Sequence, residues 1–209
     1  MKAINTYINE RLHVTTKSFY TCQPTTKDEL KEIIIQRIKE DSPECDLNDI
    51  DVSMIFDMSY LFSANPNYQS SNEIFKDFNG DISRWNVSNV KNMGWMFWEC
   101  KKFNCDISDW DVSNVTNMTS MFWNCEKFNC DIGQWDMSHV NFTSGMFCSC
   151  KKFNCDLSRW NVSNVKDMYY MFNGCKNFRQ NIDSWDVSNV EDMGNAFWNC
   201  PTQPKWYED

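Results

Sequence analysis

The chain has 209 residues, enough to bury a sizeable core, and carries a formal net charge of -9. That acidic balance argues against a nucleic-acid partner, whose phosphates are met by Lys and Arg, and against docking on an anionic membrane surface. With 15% aromatic residues, 10 Trp, 6 Gly and 5 Pro, the chain is built to fold, because it can bury enough apolar surface to offset its ordering entropy.

In chain order, residues 1–44 come first and carry no repeat. The opening MKAINTYINERLHVTTKSF has no apolar core after its basic start, so no signal peptide is expected. No run approaches 18 apolar residues, so no membrane insertion is expected either. Eleven cysteines, an odd number, fit reduced thiols in a cytoplasmic compartment, with a surface or virion location left open. Thr26 stands three positions before Glu29, a capping-box spacing, ahead of LKEIIIQRIKED. Leu30, Ile33, Ile34 and Ile38 form a helical stripe that Ser42-Pro43 ends. The expectation is an N-terminal helical cap.

Residues 45–200 repeat. Trp85, Trp110, Trp135, Trp160 and Trp185 recur every 25 residues, as do Cys100, Cys125, Cys150, Cys175 and Cys200 and the valines from Val90 to Val190. A full unit over 107–128 reads ISDWDVSNVTNMTSMFWNCEKF. Its first part has leucine-rich-repeat spacing, and the alternation at Trp110, Asp111 and Val112 predicts a very short strand. Met118, Met121, Phe122 and Cys125 fall at i, i+3, i+4 and i+7, which predicts a two-turn helix. The expected fold is an α/β repeat solenoid, with short parallel strands and short helices stacked about six rungs deep. The first rung is degenerate, with Ile50 in place of Trp, and a polar, Pro-containing insertion near 63–76 reads as a projecting loop. Residues 201–209 break the repeat, and Trp206 is expected to fold over the last rung as a C-terminal cap.

The motif W-D-V-S-N-V-x-N-M-x-x-M-F-x-x-C-x-x-F-N-x-D-I resembles the repeats of BspA-like leucine-rich-repeat surface proteins over residues 45–200. The resemblance implies a right-handed leucine-rich-repeat-like solenoid and a role in adhesion or other protein interactions.

The conspicuous ladders have bland readings. Cys100 to Cys200, and Cys105, Cys130 and Cys155, read as small core hydrophobes, with inter-rung disulfides or a metal as alternatives. Cys148 lies outside both ladders, which predicts an exposed, reactive thiol. His13 and His139 are isolated. Asp46, Asp81, Asp106, Asp131 and Asp156 read as Asx-turn acceptors, with calcium or acid-base chemistry as alternatives.

Function is sought where the rungs differ. Arg84, Asp109, Gln134, Arg159 and Ser184 precede the Trp, and Asn86, Asp111, Asp136, Asn161 and Asp186 follow it; together they form a candidate partner-binding sheet face. Trp95, Trp98, Trp123, Tyr169, Tyr170 and Trp198 form a candidate aromatic edge. No G-x-S-x-G, P-loop or H-E-x-x-H motif is present. The expected function is therefore a non-enzymatic protein-interaction module without a cofactor, its protein partner and oligomeric state undetermined. A structural assembly component, or an effector activity within residues 1–44, are the alternatives.

Overall fold

A computed structural model describes residues 19–69 and 71–208. The expected α/β solenoid of strands and helices does not form. Among the described residues there is one α-helix, α1 (Lys27–Glu40), and one 3-10 turn (Glu73–Asp77). Among the described residues parallel pairing is limited to isolated bridges, such as Asn92 with Asn117 and Asn117 with Phe142, and no sheet is present. The repeat stacks, but each rung is made of consecutive turns.

Rung 3, residues 106–130, shows why. Asp106 accepts from the Ser108 N–H, Asp111 from the Ser113 N–H and Asn117 from the Thr119 N–H, three Asx turns in one rung. The Trp110 N–H turns back to the Ile107 carbonyl and the Val115 N–H to the Val112 carbonyl. Alternation at Trp110, Asp111 and Val112 therefore places Trp110 and Val112 inward without leaving a run of free amides for a strand. The expected helix fails for a second reason. Ser120 and Asn124 have φ of 52° and 60°, which a right-handed helix does not tolerate. Amides of Met121, Trp123 and Cys125 close turns onto the carbonyls of Met118, Ser120 and Phe122. Overlapping turns that close at every second residue put Met118, Met121, Phe122 and Cys125 on the inside, much as a 3.6-residue helix would.

The other amides leave the rung. Met118, Ser120, Phe122 and Asn124 donate to the carbonyls of Phe142, Ser144, Met146 and Cys148 in rung 4, at 2.7–2.9 Å. The same four-bond ladder joins rung 1 to rung 2 and rung 5 to rung 6. Over this segment each rung thus has an N–H edge facing forward and a carbonyl edge facing back.

Side-chain columns fill the interior. Phe97, Phe122, Phe147 and Phe172 stack at 5.5–5.8 Å between centroids, and Phe103, Phe128, Phe153 and Phe178 run alongside at 5.9–6.0 Å. Every core Trp is 4–5% exposed and donates its indole N–H to a carbonyl of the preceding rung, as Trp110 does to Ile82 at 3.1 Å. Each column thereby buries a large apolar body while satisfying its one polar atom.

The ends are closed differently. Thr26 caps α1 by accepting from the Glu29 N–H. The Glu29 carboxylate accepts in turn from the Thr25 N–H, one residue before the cap, so the box closes on its neighbour. Leu30, Ile34 and Ile38 are buried against the first rung, and Arg37 pairs with Asp49 at 2.6 Å. Before α1, the Thr21 amide and the Cys22 carbonyl pair with the backbone of Asp49 and Asp51. At the other end Trp206 extends the Trp column, donating to the Ile182 carbonyl and stacking 6.3 Å from Trp185. Tyr207 packs edge-on against Phe197. The insertion after rung 1 is anchored as well as polar: Phe75 is fully buried against Phe62.

Candidate functional site

The two site columns flanking the Trp stay exposed but do not form a sheet face. Asn86, Asp111, Asp136, Asn161 and Asp186 each accept from the Ser N–H two residues on, so their side chains hold the turn after the Trp. Arg84 lies 4.0 Å from Asp46 and covers the Phe19 ring. Arg159 reaches Gln134 at 3.4 Å, Ser184 reaches the Ser158 carbonyl, and Asp109 is exposed beside them. This is a line of turn residues along one edge.

The Asp ladder is likewise occupied. Asp46, Asp81, Asp131, Asp156 and Asn181 repeat the Asx turn of Asp106. Cys130 and Cys155 lie with their thiols 3.5 and 3.4 Å from Asp106 and Asp131. Hydrogen bonds from Ser108 hold the Asp106 carboxyl below the usual carboxylate range. Among the described residues no group of three His, Cys, Asp or Glu gathers as a metal site. The inner Cys ladder is core: Cys100, Cys125, Cys150 and Cys175 are fully buried, and each thiol donates to a carbonyl of the preceding rung at 2.8–3.0 Å. Cys148 is not the exposed thiol its position predicts. It is 4% exposed, and burial pushes its pKa up to about 11, away from thiolate reactivity. His139 is exposed and lies beside Ser138, and His13 falls outside the described residues.

The aromatic edge divides in two. Trp95 stacks on Tyr60 at 5.0 Å and Trp98 approaches Tyr68 at 6.4 Å, so both pack against the first rung and the insertion. The Trp98 indole nitrogen is buried there without a hydrogen-bond partner among the described residues. Farther along, Trp123, Tyr170 and Trp198 wall a cup of about 480 Å³ that Cys148, Asn173 and Asn195 complete. Tyr169 stands 4.1 Å from Tyr170 and lies over Gly194.

Two columns of successive rungs meet at the cup, and one of them shares a backbone conformation. Tyr60, Trp95, Ser120, Gly145, Tyr170 and Asn195 all take φ of 52–63° at the same point of successive rungs. At Gly145 a Cβ would lie 2.6 Å from the Trp123 ring, so the missing side chain lets Trp123 lie flat against the next rung. In the neighbouring column the smaller Cys148 and Asn173 stand between Trp123 and Trp198, and the cup opens there. Trp198, at 58% exposure, is the most exposed large apolar side chain of the described repeat. Of the lining residues, sequence reading found Trp123, Tyr170 and Trp198. It missed Asn173 and Asn195, which look like ordinary turn residues, and it took Cys148 for a surface thiol.

The family described as "Mycoplasma protein of unknown function, DUF285" matches the chain twice, over residues 34–144 and 128–205. No curated protein and no solved structure matches the chain significantly. The two matches overlap within the repeat, reach back into the second half of α1 at one end and stop at residue 205 at the other; the chain belongs to this repeat-containing family.

Proposed function

We propose that this protein is a non-enzymatic interaction module that holds a protein partner at the aromatic cup between Trp123 and Trp198. The observation that carries this is the cup itself. The repeated Trp, Cys, Phe and Asp columns are used up in packing and turns, whereas the cup lies in columns where the rungs differ. It offers flat, rotamer-poor aromatic area with two Asn amides for orientation. Residues of this kind, set in a pocket, carry a disproportionate share of binding energy at protein interfaces. The resemblance of the repeats to BspA-like surface proteins supports adhesion or scaffolding as the class of role. Eleven unpaired cysteines, several donating to backbone carbonyls, support a reducing compartment such as the cytoplasm.

The test is partner capture from the native cell followed by titration of the recovered partner against Trp198→Ala and Tyr170→Ala. Loss of at least tenfold in affinity, with the melting temperature retained, is expected. A partner held equally by the double variant, or the absence of any stoichiometric partner, would overturn the reading.

A further inference from the structure

The last rung is only half covered. Trp206 and Tyr207 close over Trp185 and Phe197, but the Val187, Val190 and Met193 half of the rung has no such cover. These three side chains are partly exposed, while their equivalents Val162, Val165 and Met168 in rung 5 are 2%, 0% and 1% exposed. The backbone tells the same story. In every earlier rung the amides equivalent to Met193, Asn195, Phe197 and Asn199 donate to the rung that follows. In the last rung these four have no partner among the described residues. The Glu191 carbonyl, whose equivalents from Phe56 to Lys166 each accept from the next rung, has none either.

We infer that this end of the stack is a docking face for an extended segment of a partner protein, which adds to it as a further rung would. The five internal junctions show what fits such a face. Rung 6 covers rung 5 by presenting the carbonyls of Asp192, Gly194, Ala196 and Trp198 at alternate residues, with Val190 and Met193 laid on Val165 and Met168. An occupant therefore needs a row of backbone carbonyls in register with the four amides and apolar side chains three residues apart. Main-chain hydrogen bonds then supply affinity, and the apolar contacts supply register. Asp186, Glu191 and Asp192 are exposed around the face, so basic residues flanking the apolar core of the segment complement it.

A second copy of the chain is the poorer occupant. Its matching carbonyl edge lies on rung 1, under α1, with Leu30 and Ile34 fully buried and Lys27 on Asp57 and Ser59. Head-to-tail stacking would have to strip α1 away and return its buried aliphatic side chains to water. Two last rungs set face to face would oppose amide to amide. The inference shares with the proposed function only the class of partner, since the cup and the end face are separate surfaces.

The probe is a synthetic peptide of residues 112–124, VSNVTNMTSMFWN, the segment that covers the equivalent face of rung 2, carrying an N-terminal Lys-Lys extension and a fluorophore. Titrated with the full chain, it should bind saturably and protect the amides of Asn195, Phe197 and Asn199 from hydrogen exchange at least tenfold. Met193→Asp should weaken it tenfold or more. If that variant loses thermal stability, the exchange measurement on the unaltered chain decides alone. Absence of saturable binding up to about 1 mM, a level that corresponds to roughly 4 kcal/mol, overturns the proposal. So does protection elsewhere, or loss of binding in Trp123→Ala, which would assign the peptide to the cup while leaving the interaction reading intact. Concentration-dependent self-association that Met193→Asp abolishes would make the occupant a second copy and overturn it likewise.

Discussion

The buried thiols make the stability of this protein unusually sensitive to alkaline pH. Cys100, Cys125, Cys150 and Cys175 are fully buried, and burial pushes each pKa well above the ordinary 9.0. The folded chain therefore keeps four protons that the unfolded chain releases once the pH passes 9. Where the folded state binds more protons, stability falls as pH rises. At pH 10, above the unfolded value, each such thiol costs on the order of 1 kcal/mol. Four of them together cost several kcal/mol, a large share of the whole stability of a typical domain. Cys130, Cys148 and Cys155, raised to about 11, 11 and 12, act in the same direction with a smaller, water-screened share. Lys31 opposes them. Burial lowers its pKa to about 8, so it contributes a stability that grows between about pH 8 and 10.5, but it is one partly hydrated group. Urea unfolding at pH 7, 8, 9 and 10 under a phosphine reductant should show a level midpoint to pH 8 and a steep fall from 9 to 10. Cys125→Ala should lower the midpoint at pH 7 and flatten the fall by about a quarter. A midpoint that holds from pH 7 to 10 would refute the buried, protonated ladder.

Other substitutions separate scaffold from surface. Gly145→Ala forces a Cβ against Trp123 at φ +63° and should destabilise by about 1–3 kcal/mol, read as a lowered melting temperature. Trp110→Ala removes a 4% exposed ring and its hydrogen bond to Ile82, and should cost about 3–5 kcal/mol. Trp198→Ala, at an exposed ring, should stay within about 0.5 kcal/mol by the same unfolding measurement. Thr26→Ala removes the side-chain acceptor at the start of α1 and should cost about 1 kcal/mol.

The sequence made the repeat, its inward residues and α1 legible, because those rest on period and composition. Trp110, Val112, Val115, Met118, Met121, Phe122, Cys125 and Phe128 all lie in the core, as their spacing implies. The secondary structure that delivers them was not legible. A spacing of i, i+3, i+4 and i+7 is shared by a helix and by a chain of overlapping turns closing at every second residue. What separates the two is a φ above zero at Ser120 and Asn124, and neither residue type announces it. The Asp and Asn columns did carry the turn signal. Their very frequency, three Asx turns to a rung, is what leaves no run of amides for a strand. The cup was half legible for a similar reason: its aromatic walls stand out in any column, but the seat of the Trp123 wall depends on Gly145, whose role appears only once the ring is seen close against it.

The open end was hidden by the same regularity that exposed the repeat. Val187, Val190 and Met193 are the same residue types as Val162, Val165 and Met168, and composition assigns both sets to the core. Only the position of a rung in the stack decides whether its forward face is buried. Any repeat whose rungs donate forward ends with unspent amides, and an end cap must supply carbonyls as well as apolar cover. Here α1 covers the first rung with three buried aliphatic side chains and a Lys31 hydrogen bond to the Tyr60 carbonyl, whereas the Trp206–Tyr207 turn covers the last with rings alone and leaves Val187, Val190 and Met193 partly exposed. The two ends are therefore unequal in apolar cover, and association through the end of the stack is expected to favour the less covered last rung.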